Sequence, residues 1–303
     1  MDFDLSEAQH RRLDAVSAVV DAAGSSADGE QVDKLLLASD VLDGSDLLDG
    51  FMITEELARR GLGGAFGLHA LVGDLLPEGR VAGRVAVAEA QQSGPVRFAD
   101  SASTLIVLDG VHAVLYDPSS LDIRPENTVY GFPFAHVRAS GAGRRLPDGH
   151  AARIRARWRL ALTAEIAGNA RSAIAKTADH LTSRRQFGRP LASFQALRHR
   201  LADAAVSAEA TSWLGREAAF TNDDRAVVRA AWYASNTAST LVPELVQMCG
   251  ARSFTIEFGL HVFTMRMNCL RLELRGIDRL GLELCELAPA RSAGGLQAPA
   301  GQQ

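Results

Sequence analysis

Residues 183–203 read SRRQFGRPLASFQALRHRLAD. The pair Arg184-Arg185 and the amide of Gln186 precede Phe187-Gly188, and Pro190 closes the turn before a new apolar rhythm begins. Both flanks have helical spacing. Leu162, Ile166, Ala170, Ala173, Thr177 and Leu181 form one stripe, and Phe194, Leu197, Leu201, Ala204 and Ala208 form the next. Two long amphipathic helices joined by a short turn predict a helical bundle. A turn with fixed positive charge and backbone N–H donors suits a phosphate or diphosphate group.

Downstream, Val227, Val228, Ala231, Ala238, Leu241 and Leu245 make a third stripe with Pro243 late in it, and residues 255–287 make a fourth, broken at Gly276. The many small side chains imply close helix–helix approach. Upstream, residues 2–23 are helical with Ser6 as N-cap and Glu7 in the first turn. Residues 31–38 and 50–60 read as further helices, residues 61–67 as a glycine-rich connection, and residues 66–76 as a buried helix. The character changes near Pro77. Residues 81–87 alternate, and the short apolar runs 104–108 and 111–116 are joined by Asp109-Gly110, a strong hairpin signal. The fold class is therefore mainly α with a small β domain. The divisions are an N-terminal helical domain over 1–80, a shortened β domain over 81–149, a C-terminal four-helix bundle over 150–288, and an Ala/Gly/Pro/Gln-rich tail over 289–303 expected to be disordered.

With 303 residues, 47% of them hydrophobic and 22% charged, the composition is that of a soluble globular protein. A net charge of −4 gives no pull toward nucleic acid or an anionic membrane. Cys249, Cys269 and Cys285 are odd in number, lack metal-ligand spacing and lie in apolar helical context, so they are read as reduced, packed thiols and no metal site is expected. The acidic, mixed first residues have no signal-peptide pattern, and no apolar run reaches membrane-spanning length. A cytoplasmic protein is expected.

Helices, a little β structure and a bundle with Arg-X-Gln-Phe-Gly at its first turn resemble the acyl-CoA dehydrogenase family. Arg184–Gln195 fits that family's R-x-Q-F-G-x-x-x-x-x-x-Q pattern, MDFDLSEAQ at residues 1–9 looks like its opening helix, and Glu55-Glu56-Leu57-Ala58 is like its early Glu-Leu helix. QMCGA at 247–251 resembles its later Gln…Gly-Gly element, and SFTIEFGLH at 253–261 resembles the G-F-T-x-E-x-x-x-H version of one bacterial branch. The resemblance implies flavin adenine dinucleotide (FAD) shared across a subunit interface. It places Arg184, Gln186, Phe187, Gln247, Gly250 and Ala251 at the adenosine-diphosphate end. Arg184 offers a planar fork, Gln186 and Gln247 offer amides, and the backbone at Gly250-Ala251 offers N–H groups. Outside this motif, Arg184 would read as a surface ion pair. Phe187 and Phe194 are expected to pack as core at either end of the turn, and Arg185, Arg198, His199 and Arg200 to lie on solvated faces.

Oxidising an acyl-CoA at Cα–Cβ needs a carboxylate to take the α-proton while hydride passes to the flavin. One family position for that base is a Glu-Gly pair before the last helix. Matching through SFTIEFGLH puts Leu274-Arg275 there, with Gly276 one residue on and Glu273 close but displaced. One residue turns a helical side chain by about 100°, so Glu273 is a weak candidate. The other position falls on Trp158-Arg159, where the Arg matches and the acid is missing. Glu165, Glu257 and His261 are expected to be buried, capping or hydrogen-bonded side chains. Residues 81–149 contain neither a Thr loop nor a Trp-Ile-Ser/Thr strand of the kind that holds the flavin ring in full-length members, and no Trp at all.

Motifs for one end of the flavin are kept, and those for the reactive end are missing. Within the family this pattern resembles the short subunit of actinobacterial heteromeric (α2β2) steroid side-chain acyl-CoA dehydrogenases. A longer paralogue would there supply base and ring site, and bind most of the acyl-CoA. Two alternatives stand beside it: a self-sufficient homo-oligomeric dehydrogenase using Glu273, and a flavin-less binding or scaffold protein.

Overall fold

The computed structural model describes residues 5–24, 29–77, 83–91, 94–139 and 141–287. The tail over 289–303 lies outside them. Four helices open the chain: α1 (Glu7–Ala23), α2 (Gly29–Leu37), α3 (Leu47–Arg59) and α4 (Phe66–Val72). Ser6 caps α1 in a reciprocal box with Gln9, as the sequence suggests. α3 begins three residues ahead of its apolar run because Asp46 and Asp49 form a second such box, with Asp49 N donating to Asp46 Oδ1 at 2.8 Å. α4 is buried along its whole length and is followed by a 3₁₀ turn at Gly73–Leu75.

Short strands follow: β1 (Val85–Glu89), β2 (Val96–Arg97), β3 (Thr104–Asp109), β4 (His112–Tyr116), β5 (Leu121–Glu126), β6 (Phe134–Ala139) and β7 (Arg144–Arg145). They form one sheet in the order β1-β3-β4-β7 and another in the order β2-β6-β5, with β1 parallel to β3 and the other pairs antiparallel. The expected hairpin is present, but Asp109 pairs with His112, so the turn residues are Gly110 and Val111. Gly110 supplies the left-handed φ of 57°, and Val111 sits at the tip, 75% exposed, rather than in the strand.

The rest is helical: α5 (His150–Ser183), a two-residue-stranded hairpin of β8 (Arg185–Gln186) and β9 (Arg189–Pro190), then α6 (Gln195–Thr221), α7 (Asp224–Cys249), α8 (Leu260–Glu273) and α9 (Ile277–Glu286). α5 is the central helix and touches α3, α6, α7 and α8. Its 34 residues span about 50 Å at 1.5 Å each. Gly168 lets α3 approach so closely that a Cβ there would stand 2.2 Å from the carbonyl oxygen of Glu55. Beside that crossing the buried Glu55 carboxylate is held by Arg171 at 3.1 Å and Arg216 at 3.0 Å. The fourth helical stripe starts later than its apolar spacing suggests. Residues Gly250–Phe254 form a 3₁₀ turn, and Gly259, at φ 68°, reverses the chain before α8 begins. Gly276 breaks the stripe where expected, at φ 83°. Cys249 and Cys269 are packed thiols, whereas Cys285 is exposed because it lies on the outer face of α9.

Candidate functional site

The turn after α5 is a minimal hairpin. Gln186 pairs with Arg189, and Phe187 and Gly188 both take left-handed φ, 52° and 79°, as a two-residue hairpin loop demands. Arg184 is fixed by its backbone: its N–H donates to the His180 carbonyl at 2.9 Å, and its own carbonyl accepts from Leu191 at 2.8 Å. Its guanidinium is free in solvent, with no carboxylate at ion-pair distance among the described residues. Phe187 is not core. It is 87% exposed and touches Phe194 edge-on, centroids 6.0 Å apart, because the hairpin projects beyond the helix ends that could cover it. Phe194 is half-buried, and Arg189 stacks on its ring at 4.1 Å.

The end of α7 is drawn to the same place. The thiol of Cys249 lies 3.6 Å from Thr177 Oγ1 on α5. Gly250 then caps the helix at φ 59°, its N–H donating to the Val246 carbonyl. Gln247, Gly250 and Ala251 are exposed there. Beyond them Phe258 folds back onto α5, its ring edge-on to His180 with centroids 5.4 Å apart. Lys176 Nζ and Arg252 Cζ lie 5.4 Å and 5.1 Å from the centre of that ring. His180 is buried, its Nδ1 has no hydrogen-bond partner among the described residues, and its pKa is pushed down by burial, then by the charges of Arg252 and Arg184.

Lys176, His180 and Arg252 therefore gather around Phe258, and the charge of Arg184 acts on His180. Lys176, Arg184 and Arg252 face no carboxylate at ion-pair distance among the described residues, so positive charge there is uncompensated. Such a cluster can neutralise a diphosphate, with Arg184 as a fork and His180 Nδ1 as a nearby polar atom. Sequence reading finds Arg184 but misses Lys176, His180 and Arg252. The signal is the spacing 176, 180, 184, which places three basic residues on one helical stripe running into the turn.

The carboxylates expected near the chemistry are engaged elsewhere. Arg97, at the end of β2, is buried and grips Glu165 of α5 with Nη1 to Oε2 at 2.7 Å and Nη2 to Oε1 at 2.9 Å. Its Nε is 2.9 Å from Glu273 Oε1 at the end of α8, in an ion pair off the hydrogen-bond direction. The guanidinium also lies 4.8 Å from the ring centre of Phe98 and 4.7 Å from that of Phe132. Glu273 keeps only 11% of its side-chain surface exposed. Burial raises its pKa, Arg97 opposes that, and Glu165 adds to it. Glu165 is buried as expected, but its arginine comes from the sheet and not from its own helix.

At the other base position, Trp158 is buried and Arg159 makes two 2.7 Å bonds to Glu283. The residue immediately before Gly276 and the last helix is Arg275, at a left-handed φ of 69°, so the pair there reads Arg-Gly. Glu257 is exposed rather than buried or capping, since the 255–259 turn carries it outward. His261 is half-buried with Nδ1 unpartnered among the described residues. Among the described residues no group of three or more potential metal ligands occurs, and no helix is long and apolar enough to cross a membrane.

A helical segment, two small sheets and a bundle with a basic turn are the framework of acyl-CoA dehydrogenases. Residues 155–273 match the acyl-CoA dehydrogenase C-terminal domain family. It is similar to acyl-CoA dehydrogenase IpdE2 of Mycobacterium tuberculosis, 35% identical over 109 residues, an alignment spanning 36% of this chain and 34% of that protein. IpdE2 of Mycolicibacterium smegmatis is 28% identical over 238 residues, 74% of each chain. In fold the chain resembles one in the ChsE4-ChsE5 complex of Mycobacterium tuberculosis, with a TM-score of 0.81 over 96% of this chain and 100% of that one, at 19% identity.

Proposed function

We propose that this chain is the short subunit of a heteromeric, FAD-dependent acyl-CoA dehydrogenase. It would hold the adenosine-diphosphate end of the flavin, while a longer paralogue supplies the base and the ring site. The observation that carries this reading is the uncompensated positive charge of Lys176 and Arg252 on the Phe258 ring and of Arg184 acting on the neighbouring His180, with Gln186 and Gln247 exposed on the turn and at the end of α7. Arg184 would fork onto a phosphate, the Gly250-Ala251 backbone would donate, and the two amides would fix orientation. FAD, when bound, supplies the hydride acceptor. This chain's own residues bind and orient one end of it and screen that end's charge.

Glu273 and Arg275 argue against a self-contained catalyst. Glu273 faces Arg97 at 2.9 Å, and Arg275 stands before Gly276. A carboxylate tied to a buried guanidinium is held in place by a structural partner and is not free to reach a substrate proton. The α2β2 assembly is supported by the likeness to a chain of a two-protein complex. A steroid side-chain CoA thioester as substrate is supported by the branch resemblance of SFTIEFGLH at 253–261.

The test is purification of the chain alone and together with a longer paralogue that carries the Trp-Ile-Ser/Thr strand and the acidic base. Visible flavin absorption and acyl-CoA turnover are then recorded for both. Flavin and turnover are expected in the complex only. Stoichiometric flavin and turnover in the chain alone would overturn the reading.

A further inference from the structure

One buried polar atom at the basic turn has no use in the fold. His180 lies on α5 one turn before Arg184, and its backbone carbonyl accepts the Arg184 N–H at 2.9 Å and the Ser183 hydroxyl at 3.2 Å. The residue is 6% exposed, its imidazole covered by the Phe258 ring with centroids 5.4 Å apart. Nδ1 is sealed from solvent and meets no hydrogen-bond partner among the described residues. Buried polar atoms are nearly always paired, and an unmade bond there costs stability. A ligand that reaches Nδ1 would remove that cost.

The charges that act on this ring are Arg252, from the 3₁₀ turn after α7, and Arg184, both positive. Lys176, one turn earlier on α5, adds a third across the Phe258 ring. Asp179 on α5 and Glu257 beside Phe258 are both exposed, and no carboxylate lies at ion-pair distance from His180 among the described residues. From α7 the Cys249 thiol stands 3.6 Å from Thr177 Oγ1, and burial raises its pKa, so it stays neutral. Burial and the two guanidiniums lower the His180 pKa from its ordinary 6.5, which leaves the ring uncharged while the turn holds no anion. An anion set among these cations cancels their repulsion and favours the charged imidazole. We infer that His180 is a proton-linked contact of this site: when an organic diphosphate diester occupies the turn, the imidazole takes a proton from solvent and donates from Nδ1 to a phosphate oxygen. Proton and anion are bound together and leave together. The inference rests on the reading that the turn holds the diphosphate of FAD, and adds to it a residue and a pH dependence. The sign is fixed by linkage. A group whose pKa rises on binding strengthens binding as pH falls through its bound-state value, and the gain levels off below its free-state value.

The complex with the longer paralogue, stripped of flavin, is titrated calorimetrically with FAD at about pH 6.5, near the ordinary histidine value. Two buffers of unlike ionisation enthalpy are used, so that protons taken up on binding are counted directly. FAD suits the test because its phosphates are diesters whose charge is constant over this range. The parent is expected to take up on the order of half a proton per flavin. Near pH 8, about where a histidine is fully neutral, uptake should vanish and affinity should be about three- to tenfold weaker. His180→Gln keeps a hydrogen-bonding side chain that does not titrate, and His180→Phe keeps an aromatic ring against Phe258. Whichever retains the parent's thermal midpoint should bind FAD without proton uptake and with the same affinity at both pH values. FAD binding with no proton uptake in the parent, or with uptake unchanged in the folded variant, overturns the inference and leaves the flavin site standing. Failure of the complex to bind FAD at all overturns both.

Discussion

Arg97 and Glu273 meet at 2.9 Å across the junction between the sheet and the end of α8, with Glu165 on the other side of the same guanidinium. One arginine therefore ties β2 to two helices of the bundle. It also removes the one carboxylate near the family's base position from free use. Arg97 thus bears on both the packing of the sheet junction and the fate of Glu273, and it is the first residue to change.

Replacing Arg97 with Met keeps the volume of the side chain and leaves Glu165 and Glu273 buried without their cation. The expected loss is about 3–5 kcal/mol of stability, the cost of breaking a buried pair from one side. The pH dependence has a definite sign. Glu273 already has a folded-state pKa above its ordinary 4.5 because of burial, and losing Arg97 raises it further. The folded variant then binds protons more tightly than the unfolded chain, so this group's stabilising contribution is complete below the unfolded value and is lost as pH rises through the folded one. Urea denaturation from pH 4.5 up to about pH 8 should show the gap between Arg97→Met and the parent widening with pH. A constant gap would mean the carboxylates find other partners.

Glu273→Gln tests catalysis separately. The amide fills the same space beside Arg97, and Glu165 remains as counter-ion. In the complex with the longer paralogue, turnover should stay within a factor of about two of the parent, because no transition-state interaction is removed. Turnover falling by orders of magnitude with an unchanged thermal midpoint would restore Glu273 as the base.

At the basic turn, Arg184→Ala should reduce flavin retention in the complex, and the pair Arg184→Ala, Arg252→Ala should reduce it further. Removing one charge-assisted hydrogen bond to a diphosphate costs about 1.5–3 kcal/mol, roughly tenfold or more in affinity. Assembly should be intact by size-exclusion chromatography, since neither guanidinium pairs with a carboxylate among the described residues. Unchanged flavin content on repeated dilution would remove both residues from the site.

Helical periodicity and the Asp109-Gly110 signal make the order of elements and the bundle readable from residues alone, because each depends on local spacing. The motif at 184–188 is equally legible, being contiguous. Arg97 is invisible in the sequence: its partners are 68 residues away in Glu165 and further still in Glu273, and nothing local marks Val96-Arg97 as more than the end of a strand. Phe187 departs from its expected core position because an aromatic in a turn usually packs inward, whereas a two-residue loop beyond the helix ends has nothing above it. Arg252 hides behind the neighbouring Gly250-Ala251, whose interest lies in their backbone.

Gly168 offers a test of the scaffold independent of any ligand. It sits inside α5, where glycine is worse than alanine by about 1 kcal/mol in an open helix, so Gly168→Ala would stabilise an isolated α5. In the folded chain the added methyl would lie 2.2 Å from the Glu55 carbonyl oxygen and 2.8 Å from the Ala58 Cβ. α3 must then move away from α5, and that motion pulls the Glu55 carboxylate from Arg171 and Arg216. Overpacking of this kind costs about 1–3 kcal/mol, more than the propensity gain. Thermal and urea denaturation should show Gly168→Ala less stable than the parent. An increase in stability would mean that α3 and α5 are further apart in solution than their 2.2 Å clearance for a Cβ implies, and that the Glu55 pair is not held by that crossing.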